Sequence, residues 1–462
     1  MSFFLYDSLE KNKREFIPLD PKNIRVYACG PTVYNYAHVG NARMAVVCDL
    51  LVRVLKTKFK KVTYVSNITD IDDKIIEASK KSNTSIIELT KNFTNIYNQD
   101  MNGIGVTKPD VQPNATKHIK DMIVLIKKLV DNGCAYKAKG NVLFDVKKFN
   151  NYGILSGRNK EEQIAGSRVE VADYKKNPQD FILWKPSKNN EPSWESPWGK
   201  GRPGWHIEGS AMSEKCLGIP FDIHCGGVDL TFPHHENEIA QTCSAHKLNS
   251  SPKSYCNFWF HNGFVTINGE KMSKSIGNIQ IVNDLLKKYT GDSIRLSLLS
   301  SHYRQPLDWS ETILSQSEKT LSKFLKIKED MDSFEEEKDD NLFKEFMNPL
   351  YDDLNTPKAL AVLNIWISEM KKESNSKKKK LKFSINKALN LLGLNFKKNN
   401  KNKIIKKINI TKQEILKMID ERNLARKNSD FKKADEIRDR LKRNNVDLED
   451  TPQETIWKIS GD

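Results

Sequence analysis

Two short segments of the chain carry side chains and glycines suited to binding phosphate. The first is Cys29-Gly-Pro-Thr-Val-Tyr-Asn-Tyr-Ala-His-Val-Gly-Asn41, which follows a run of strand-forming residues. We expect a strand to end near Cys29 and a helix to begin near Gly40, where the absence of a side chain lets a ligand approach the backbone. A helix N-terminus favours anions, and His38 lies beside it. An ordinary strand-to-helix turn is the alternative.

The second segment is Lys271-Met-Ser-Lys-Ser275, with Gly277 shortly after it. Two lysines three residues apart, together with two hydroxyl groups, suit a mobile loop that neutralises a polyphosphate. An exposed turn that binds nothing is the alternative. The two segments are some 230 residues apart, so they can act together only if the fold brings them to one place.

The elements around these segments predict an open, mostly parallel α/β sheet. Strand-like and helical patterns alternate over the first 120 residues, and the alternation resumes from Gly204. The predicted strands are Ile24–Cys29, Lys61–Val65, Trp205–Glu208 and Phe221–His224, and a short strand, Asn141–Asp145, lies in between. Ligands of open α/β sheets bind at the carboxyl ends of the strands. From Glu311 to Leu392 the pattern is helical throughout.

Composition limits the classes of protein that this chain can be. No apolar stretch approaches the roughly 20 residues that a membrane-spanning helix needs, and the N-terminus lacks a secretory signal pattern. The seven cysteines are odd in number and widely spaced, which indicates reduced thiols and a cytoplasmic location. We therefore expect neither a membrane protein nor a disulfide-bonded secreted one.

The positive charge of the chain is concentrated in one segment. The formal net charge is +16. Fourteen lysines and one acid, Glu373, lie between Lys371 and Lys407, so this segment alone carries +13. It is either a solvated linker or a surface for a polyanion.

Considered together, the two phosphate-binding segments resemble the signature motifs of class I aminoacyl-tRNA synthetases. Four other segments resemble the cysteinyl-tRNA synthetase family in particular. These are Ile68-Thr-Asp-Ile-Asp-Asp-Lys74, Gly204-Trp-His-Ile-Glu208, Phe232-Pro-His-His-Glu-Asn-Glu-Ile-Ala-Gln241 and Asp447-Leu-Glu-Asp-Thr-Pro-Gln453. The resemblance extends from about residue 3 to about residue 458 and therefore covers nearly the whole chain.

The resemblance implies an activity, its partners and several site residues. The family activates L-cysteine with ATP, accompanied by Mg²⁺, and transfers the cysteinyl group to tRNA-Cys. By resemblance, His38, Asn41, Lys271 and Lys274 are catalytic, and the ATP site comprises Thr32, His38, Gly40, Asn41, Lys271, Ser273 and Lys274. Substrate cysteine is expected to meet Trp205, His224 and Asp229. We expect no membrane partner and a monomer.

The resemblance also implies a zinc ion, but one expected ligand is missing. The family holds zinc through two cysteines, a histidine and a glutamate, to which Cys29, His234 and Glu238 correspond. Gly209 stands where the second cysteine is expected. Three interpretations are open: zinc is lost, zinc is held by the three matching residues with substrate sulfur or water, or Cys225 replaces the missing ligand. Cys225 is a candidate because it lies in a segment where the family usually has only glycines.

The resemblance also suggests how the chain divides into domains. Residues 1–120 and 204–265 would form the two halves of a Rossmann-like catalytic domain, interrupted by a connective insertion at 121–203. The remaining segments would be a lysine-loop and stem-contact region at 266–310, a helical bundle at 311–395, a basic linker at 396–410 and an anticodon-binding domain at 411–462. Trp457 could stack on a base or pack in the core of that last domain.

A cysteine:amino-sugar ligase and a non-catalytic tRNA-binding relative are the alternative functions.

Overall fold

The structure is a computed structural model, and it describes residues 2–159, 162, 172–248, 251–272, 276–396, 412–428, 430–444, 446–450 and 455–459. The chain forms two compact units, Met1–Asn395 and Phe396–Asp462. Within the described residues, every helix is too short or too polar to cross a lipid bilayer.

The described strands of the first unit form four sheets, which differ in strand number and in whether the strands run parallel or antiparallel. The strands are β1 (Phe4–Asp7), β2 (Asn12–Glu15), β3 (Ile24–Ala28), β4 (Val62–Ser66), β5 (Ala135–Ala138), β6 (Asn141–Phe144), β7 (Phe181–Pro186), β8 (Gly201–Pro203), β9 (Phe221–Gly227), β10 (Cys256–Asn262), β11 (Val265–Ile267), β12 (Glu270–Lys271) and β13 (Leu307–Trp309).

Helices cover these sheets and make up the last part of the unit. They are α1 (Val39–Lys58), α2 (Asp73–Ser82), α3 (Ile86–Gly103), α4 (Ile119–Asp131), α5 (Trp205–Leu217), α6 (Glu236–Ala245), α7 (Val282–Lys288), α8 (Gly291–Leu299), α9 (Glu311–Asp330), α10 (Asp340–Tyr351), α11 (Thr356–Glu369) and α12 (Asn375–Leu391). Single helical turns lie at Ala115–Lys117, Val146–Lys148, Val228–Leu230, Thr231–His235 and Pro252–Ser254.

The central sheet is parallel, with the strand order β10-β9-β3-β4. Its strands are almost fully buried, as expected for a parallel sheet that is covered on both faces. The carboxyl ends of β3 and β9 are adjacent, because Tyr27 pairs with His224 and Ala28 pairs with Cys225. This register confirms the predicted Rossmann-like sheet and fixes which side chains share a face at the ligand-binding edge.

One predicted strand is wrong. Trp205–Glu208, expected to be a strand, forms the first turn of α5. Four residues are too few for alternation to separate a strand from a helix. Ile207 and Ala211 are both buried and lie four residues apart, which is the spacing of one helical face.

The region between the two halves of the central sheet has a sheet of its own. β5, β6, β7 and β8 pair in sequence as an antiparallel sheet. The sequence indicated only the strand at 141–145, because the others are short and lie among lysine, asparagine and proline residues.

The helical region from Glu311 onwards is confirmed as α9 to α12. Helix α12 carries many of the clustered lysines, and an acidic stretch at residues 335–340 lies against it. Lys377 pairs with Glu373 at 2.8 Å and Lys379 pairs with Glu335 at 3.0 Å. Much of the charge of this helix is therefore balanced within the unit.

The second unit contains α13 (Lys412–Lys427), α14 (Phe431–Arg443) and a hairpin of β14 (Val446–Asp450) and β15 (Thr455–Ile459). A small apolar core joins the helices to the hairpin, and Trp457 packs against it while remaining partly exposed. Arg422 donates two hydrogen bonds to Asp450, at 2.8 and 2.7 Å, and so ties α13 to the hairpin.

Candidate active site and metal cluster

A small cavity opens at the carboxyl ends of β3 and β9, where the open sheet predicts a ligand site. Its volume is about 30 Å³, and its walls include Cys29, Asn67, Thr69, Glu208 and Gly209. Gly30 also borders it, and the backbone of Asn67 comes so close to Gly30 that a β-carbon there would overlap the Asn67 carbonyl. The wall therefore needs glycine at position 30.

The first predicted phosphate-binding segment forms the N-terminus of α1. His38 is the N-cap: its Nδ1 accepts a hydrogen bond from the Asn41 backbone N–H at 3.4 Å, while Asn41 Oδ1 accepts one from the His38 backbone N–H at 3.1 Å. This reciprocal pair is a capping box. Thr32 lies in the turn before the helix, where it bridges to Thr69. The pair fixes the helix end at which an anion would be stabilised.

The second segment lies close to the first, although they are far apart in sequence. Met272 Cε would be 3.4 Å from a β-carbon built on Gly40. The Val39 backbone N–H donates to the Gln280 carbonyl at 3.0 Å, so the chain that follows the lysine loop runs beside α1. The backbone of Lys271 pairs with Thr266 in β12, whereas Ser273 and Lys274 lie outside the described residues.

A buried carboxylate, Glu238, lies at the centre of a cluster of polar side chains beside the cavity. Its Oε1 is 2.9 Å from His234 Nε2 and 3.7 Å from the Cys29 thiol, which donates to it. Its Oε2 is 2.9 Å from His224 Nε2 and accepts a hydrogen bond from the Tyr255 hydroxyl at 2.8 Å. Burial opposes the ionisation of Glu238, but the His224 and His234 imidazoles outweigh it and hold the pKa of Glu238 well below its usual value.

A relay of hydrogen-bonding distances orients His235 towards Cys29. Cys29 Sγ lies 3.3 Å from His235 Nε2, and His235 Nδ1 lies 2.8 Å from His261 Nε2. His261 Nδ1 lies in turn 2.8 Å from the Ser8 hydroxyl. Burial lowers the pKa of His261 to about 3, so this imidazole is neutral. Sequence reasoning missed both His235 and His261, although His235 lies directly beside the predicted ligand His234.

Cys29, His224, His235 and Glu238 together could hold a metal ion. One ligand atom from each of the four buried residues lies within 4.8 Å of the others. One thiol, two imidazoles and a carboxylate make a donor set that suits Zn²⁺. Nδ1 of His224 is buried and finds no hydrogen-bond partner among the described residues. The donor set therefore fits the metal that the resemblance implies.

Of the three interpretations of the missing ligand, the structure argues against the one in which Cys225 replaces it. Cys225 pairs with Ala28 in the register of β3 and β9, while the neighbouring His224 pairs with Tyr27. Successive side chains of a strand point to opposite faces. Cys225 is therefore buried on the face opposite to Cys29, where Cys48 of α1 is its neighbour. His224, which was predicted to contact the substrate, lies in the cluster, and Cys225 does not.

Of the remaining predicted site residues, Trp205 and His234 line the cavity. His234 stacks on the Trp205 ring, with centroids 4.3 Å apart, and its Nδ1 lies 2.9 Å from His206 Nδ1. Trp205 is 39% exposed, so it can still contact a ligand. Asp229 lies exposed in the turn Val228–Leu230, and its contact with substrate stays a prediction.

Glu208 is a wall residue of the cavity that sequence reasoning did not single out. It is 2% exposed and accepts a hydrogen bond from the Thr69 hydroxyl at 2.9 Å. Burial raises the pKa of Glu208 well above its usual value, and the nearby Asp72 and Asp70 add to the effect. A buried carboxyl with a perturbed pKa in a cavity is a candidate for a functional role. The signal that could have identified Glu208 is its position in the segment Gly204–Glu208, which resembles the cysteinyl-tRNA synthetase family.

Comparison with protein families identifies the catalytic region. Residues 15–319 match the tRNA synthetases class I (C) catalytic domain, and residues 345–397 match the DALR domain. Three relatives, each named Cysteine--tRNA ligase, align over nearly the full length. The one from Parvibaculum lavamentivorans is 46% identical over 99% of this chain and 97% of its own length. The one from Pelagibacter ubique is 45% identical over 99% of each chain, and the one from Wolbachia pipientis wMel is 44% identical over 98% of this chain and 99% of its own.

The chain belongs to the cysteine–tRNA ligase family. Solved structures show the wider fold of this family. Mycobacterium tuberculosis methionyl-tRNA synthetase in complex with methionyl-adenylate aligns with a TM-score of 0.57 at 14% identity, over 80% of this chain and 89% of that one. The Agrobacterium radiobacter K84 agnB2 LeuRS, solved in a ternary complex, aligns with a TM-score of 0.60 at 11% identity, over 82% of this chain and 84% of that one. The class I synthetase fold is therefore shared.

Proposed function

We propose that this protein joins L-cysteine to tRNA-Cys in two steps. The carboxylate of cysteine attacks the α-phosphorus of ATP, which forms cysteinyl-adenylate and releases pyrophosphate. A ribose hydroxyl of the terminal adenosine of the tRNA then attacks the cysteinyl carbonyl and releases AMP. The observation that carries the proposal is the whole-length match to the cysteine–tRNA ligase relatives, at 44–46% identity.

The site geometry supports phosphate binding between the two predicted segments. The capped N-terminus of α1 offers backbone N–H groups and a positive dipole end, and Met272 of the lysine segment lies beside Gly40. Catalysis of adenylate formation is chiefly positioning and electrostatic stabilisation of the phosphoryl group. We assign His38 and Asn41 to fixing the helix end at the phosphates, and Lys271 and Lys274 to neutralising the departing pyrophosphate.

Metal ions take two separate roles in this proposal. Mg²⁺ accompanies ATP. Zn²⁺ held beside the cavity by the Cys29 cluster would supply a soft centre that prefers a thiolate to the hydroxyl of serine. That preference matters because packing differences of one small group provide only about 1–3 kcal/mol of discrimination. Around it, Trp205 and Glu208 would border the bound amino acid.

The partners and location follow from the same reaction. ATP, cysteine and tRNA-Cys are the substrates, and we propose a monomeric enzyme in the cytoplasm. All seven cysteines are free thiols, which agrees with a reducing compartment.

Cysteine-dependent ATP–pyrophosphate exchange tests the first step, and Lys274→Ala is the informative variant. Loss of one preorganised electrostatic contact typically lowers a rate by roughly 10²- to 10³-fold, so we expect that loss in exchange. Lys288→Ala, at the exposed end of α7, is the matched control and should exchange normally. Normal exchange by Lys274→Ala would contradict the role of the loop.

Charging assays test the second step and separate this reaction from amino-sugar ligation. Wild-type protein should attach cysteine to tRNA-Cys and should not attach it to a free amino-sugar. Exchange activity with transfer only to the amino-sugar would overturn the proposed function.

A further inference from the structure

Helix α7 is the first helix after the lysine loop, and it is short. It runs for seven residues, and its N-cap residue, Ile281, makes no side-chain hydrogen bond to the helix. Helices of this length have little stability of their own in water. The position of α7, and of the end of the loop that leads into it, therefore depends on what the helix packs against.

Backbone hydrogen bonds tie the end of the loop to the turn before α1. The Val282 N–H donates to the Ala37 carbonyl at 2.9 Å, and the Val39 N–H donates to the Gln280 carbonyl at 3.0 Å. These two bonds form one short antiparallel bridge. A single bridge does not stop the helix from tilting about it, so a contact with another element is needed to fix α7.

Helix α3 provides that contact through Asp100. Asp100 is 2% exposed, and its Oδ1 accepts a hydrogen bond from the Asn283 side-chain amide at 2.9 Å. One turn further along α7, Leu286 lies against Gly103, where its Cδ1 would be 3.0 Å from an added β-carbon. Helix α7 therefore rests on the C-terminal turns of α3 through one polar and one apolar contact.

The same helix supports the first phosphate-binding segment. Phe93 of α3 meets the ring of Tyr36 edge-on, with the ring centroids 5.4 Å apart. Tyr36 lies two residues before His38. Helix α3 therefore contacts the chain beside both phosphate-binding segments and can hold them in register with each other.

The contact with α7 uses Asp100 as a hydrogen-bond acceptor. Burial raises the pKa of Asp100, although Asn283 and Lys287 act in the opposite direction. Its Oδ2 is buried and has no hydrogen-bond partner among the described residues. An amide oxygen at position 100 would accept the same hydrogen bond, whereas an apolar side chain would leave the Asn283 amide without its partner.

We infer that Asp100 is a positioning residue for adenylate formation: through Asn283 it fixes α7, and with it the end of the lysine loop beside the N-terminus of α1. The inference rests on the proposed function, in which that loop neutralises the departing pyrophosphate. A displacement of catalytic groups by about 1 Å can lower a rate about 100-fold. Asp100 can therefore affect the rate without touching ATP.

Cysteine-dependent ATP–pyrophosphate exchange by the full-length protein, at saturating ATP, tests the inference. Asp100→Leu should lower kcat about 10- to 100-fold, because α7 loses its polar anchor. The KM for cysteine should stay within about twofold of wild type, since the predicted amino-acid cavity lies at β3 and β9. Asp100→Asn keeps an acceptor and should retain a kcat within about threefold of wild type.

Asp284→Asn is the matched control on α7. It removes only an exposed pair with Lys287 and should leave both constants unchanged. Melting curves establish that each variant is folded at the assay temperature. If Asp100→Leu does not fold, Asn283→Leu decides: it removes the donor at a partly exposed position and should show the same loss of kcat.

Three results would overturn the inference. The first is a folded Asp100→Leu or Asn283→Leu variant that melts at a lower temperature but keeps a kcat within twofold of wild type, which would make the pair structural only. The second is an Asp100→Asn variant as slow as Asp100→Leu. The third is a raised KM for cysteine with kcat kept.

The proposed function and the inference fail in different ways. A folded wild-type protein that does not catalyse cysteine-dependent exchange would contradict the proposed function and, with it, the role of Asp100 in adenylate formation. Wild-type exchange together with unchanged exchange in the Asp100 and Asn283 variants would contradict only the inference.

Discussion

Glu208 shows how a single residue can shape recognition in this cavity. Its carboxyl group is buried among apolar and acidic neighbours, which raises its pKa, and only the Thr69 hydroxyl supports its charged form. An incoming ammonium group, such as that of cysteine, would favour the ionised carboxylate. The cavity therefore contains a group whose charge can complement the amino end of the substrate.

We predict that Glu208→Gln raises the KM for cysteine about tenfold or more while leaving the KM for ATP unchanged. Hydrogen bonds that involve a charged group contribute roughly 1.5–3 kcal/mol, and the amide cannot become negative. Pyrophosphate exchange at varied cysteine and ATP concentrations measures both constants. Glu214→Gln is the control on the same helix, because Glu214 is partly exposed and pairs with His246 and Lys128 instead. A cysteine KM within twofold of wild type would contradict this role.

At the scale of elements, a buried ion pair joins α1 to α8. Arg295 is fully buried and contacts Asp49 at 2.5 Å, and Arg53 pairs with the same carboxylate at 2.7 Å. Burial opposes ionisation of Asp49, but the two guanidinium groups outweigh it and hold the pKa of Asp49 below its usual value. The pair connects the helix that His38 caps to the region that follows the lysine loop.

Asp49→Asn should lower the free energy of unfolding by about 3–5 kcal/mol, because it leaves the buried Arg295 charge unpaired. Since the folded pKa of Asp49 is lowered, its stabilisation is present above the unfolded pKa of about 3.9 and is lost as pH falls below it. The difference in the free energy of unfolding between variant and wild type should therefore reach its maximum by pH 7 and should shrink below about pH 4. Denaturant unfolding at several pH values measures it.

Asp284→Asn is the matched control for that experiment. Asp284 forms an exposed pair with Lys287 three residues along α7, so its loss should cost less than about 1 kcal/mol. An Asp49→Asn variant as stable as this control would contradict the argument.

A second buried arginine positions the chain on either side of the lysine loop. Arg43 of α1 is fully buried, and burial lowers its pKa to about 10. Its guanidinium donates hydrogen bonds to the Ser301 hydroxyl and to the carbonyl groups of Gly263, Phe264, His302 and Gln305. These backbone segments precede β11 and β13, which pair with each other beside the loop.

Arg43→Lys should lower the kcat of pyrophosphate exchange roughly 10- to 100-fold with little change in the KM for cysteine. A single ammonium cannot bridge carbonyls on both segments as a planar guanidinium does, and small displacements of catalytic groups carry a cost of this size. Arg304→Lys, at a partly exposed position, is the control. A cysteine KM that rises while kcat is kept would indicate that Arg43 acts on substrate binding instead.

At the scale of the whole molecule, the clustered lysines fall into two groups. Those of α12 pair with acidic residues, as Lys377, Lys379 and Lys380 do with Glu373, Glu335 and Glu337. Lysines 397–407 lie outside the described residues. The sequence shows one basic segment, but in the folded protein the acidic partners neutralise part of the lysine charge of α12. The two groups of lysines should therefore contribute unequally to tRNA binding.

Replacing Lys398, Lys401 and Lys403 with Gln should reduce the slope of log affinity for tRNA against log salt by about 2 to 3, if each neutralises one phosphate. The matched triple replacement of Lys377, Lys379 and Lys380 should reduce it by less than 1, because those lysines already have acidic partners. Binding measured at several salt concentrations distinguishes them. Equal effects of the two triple replacements, or a tRNA affinity that does not change with salt concentration, would contradict this prediction.

The sequence by itself determined the family, the reaction class and the parallel α/β sheet. The His38 and Lys271 segments and the Pro233-His-His-Glu-Asn-Glu238 run are local patterns of residue types, and such patterns can be identified without coordinates. The helices after Glu311 were also predictable, because their apolar spacing is sustained over many turns. The strand predicted at Trp205–Glu208 failed because four residues do not establish a period.

Only the tertiary structure decided which side chains meet at the metal cluster. Cys225 and His224 are neighbours in sequence, but the pleat of β9 sends them to opposite faces, and the register with β3 places His224 on the side of Cys29. His235 faces Cys29 because His261 and Ser8, from distant parts of the chain, hold its ring. The space at Gly209 is filled by Glu238 from another helix. Contacts of this kind depend on strand register and helix packing, and a one-dimensional pattern does not carry that information.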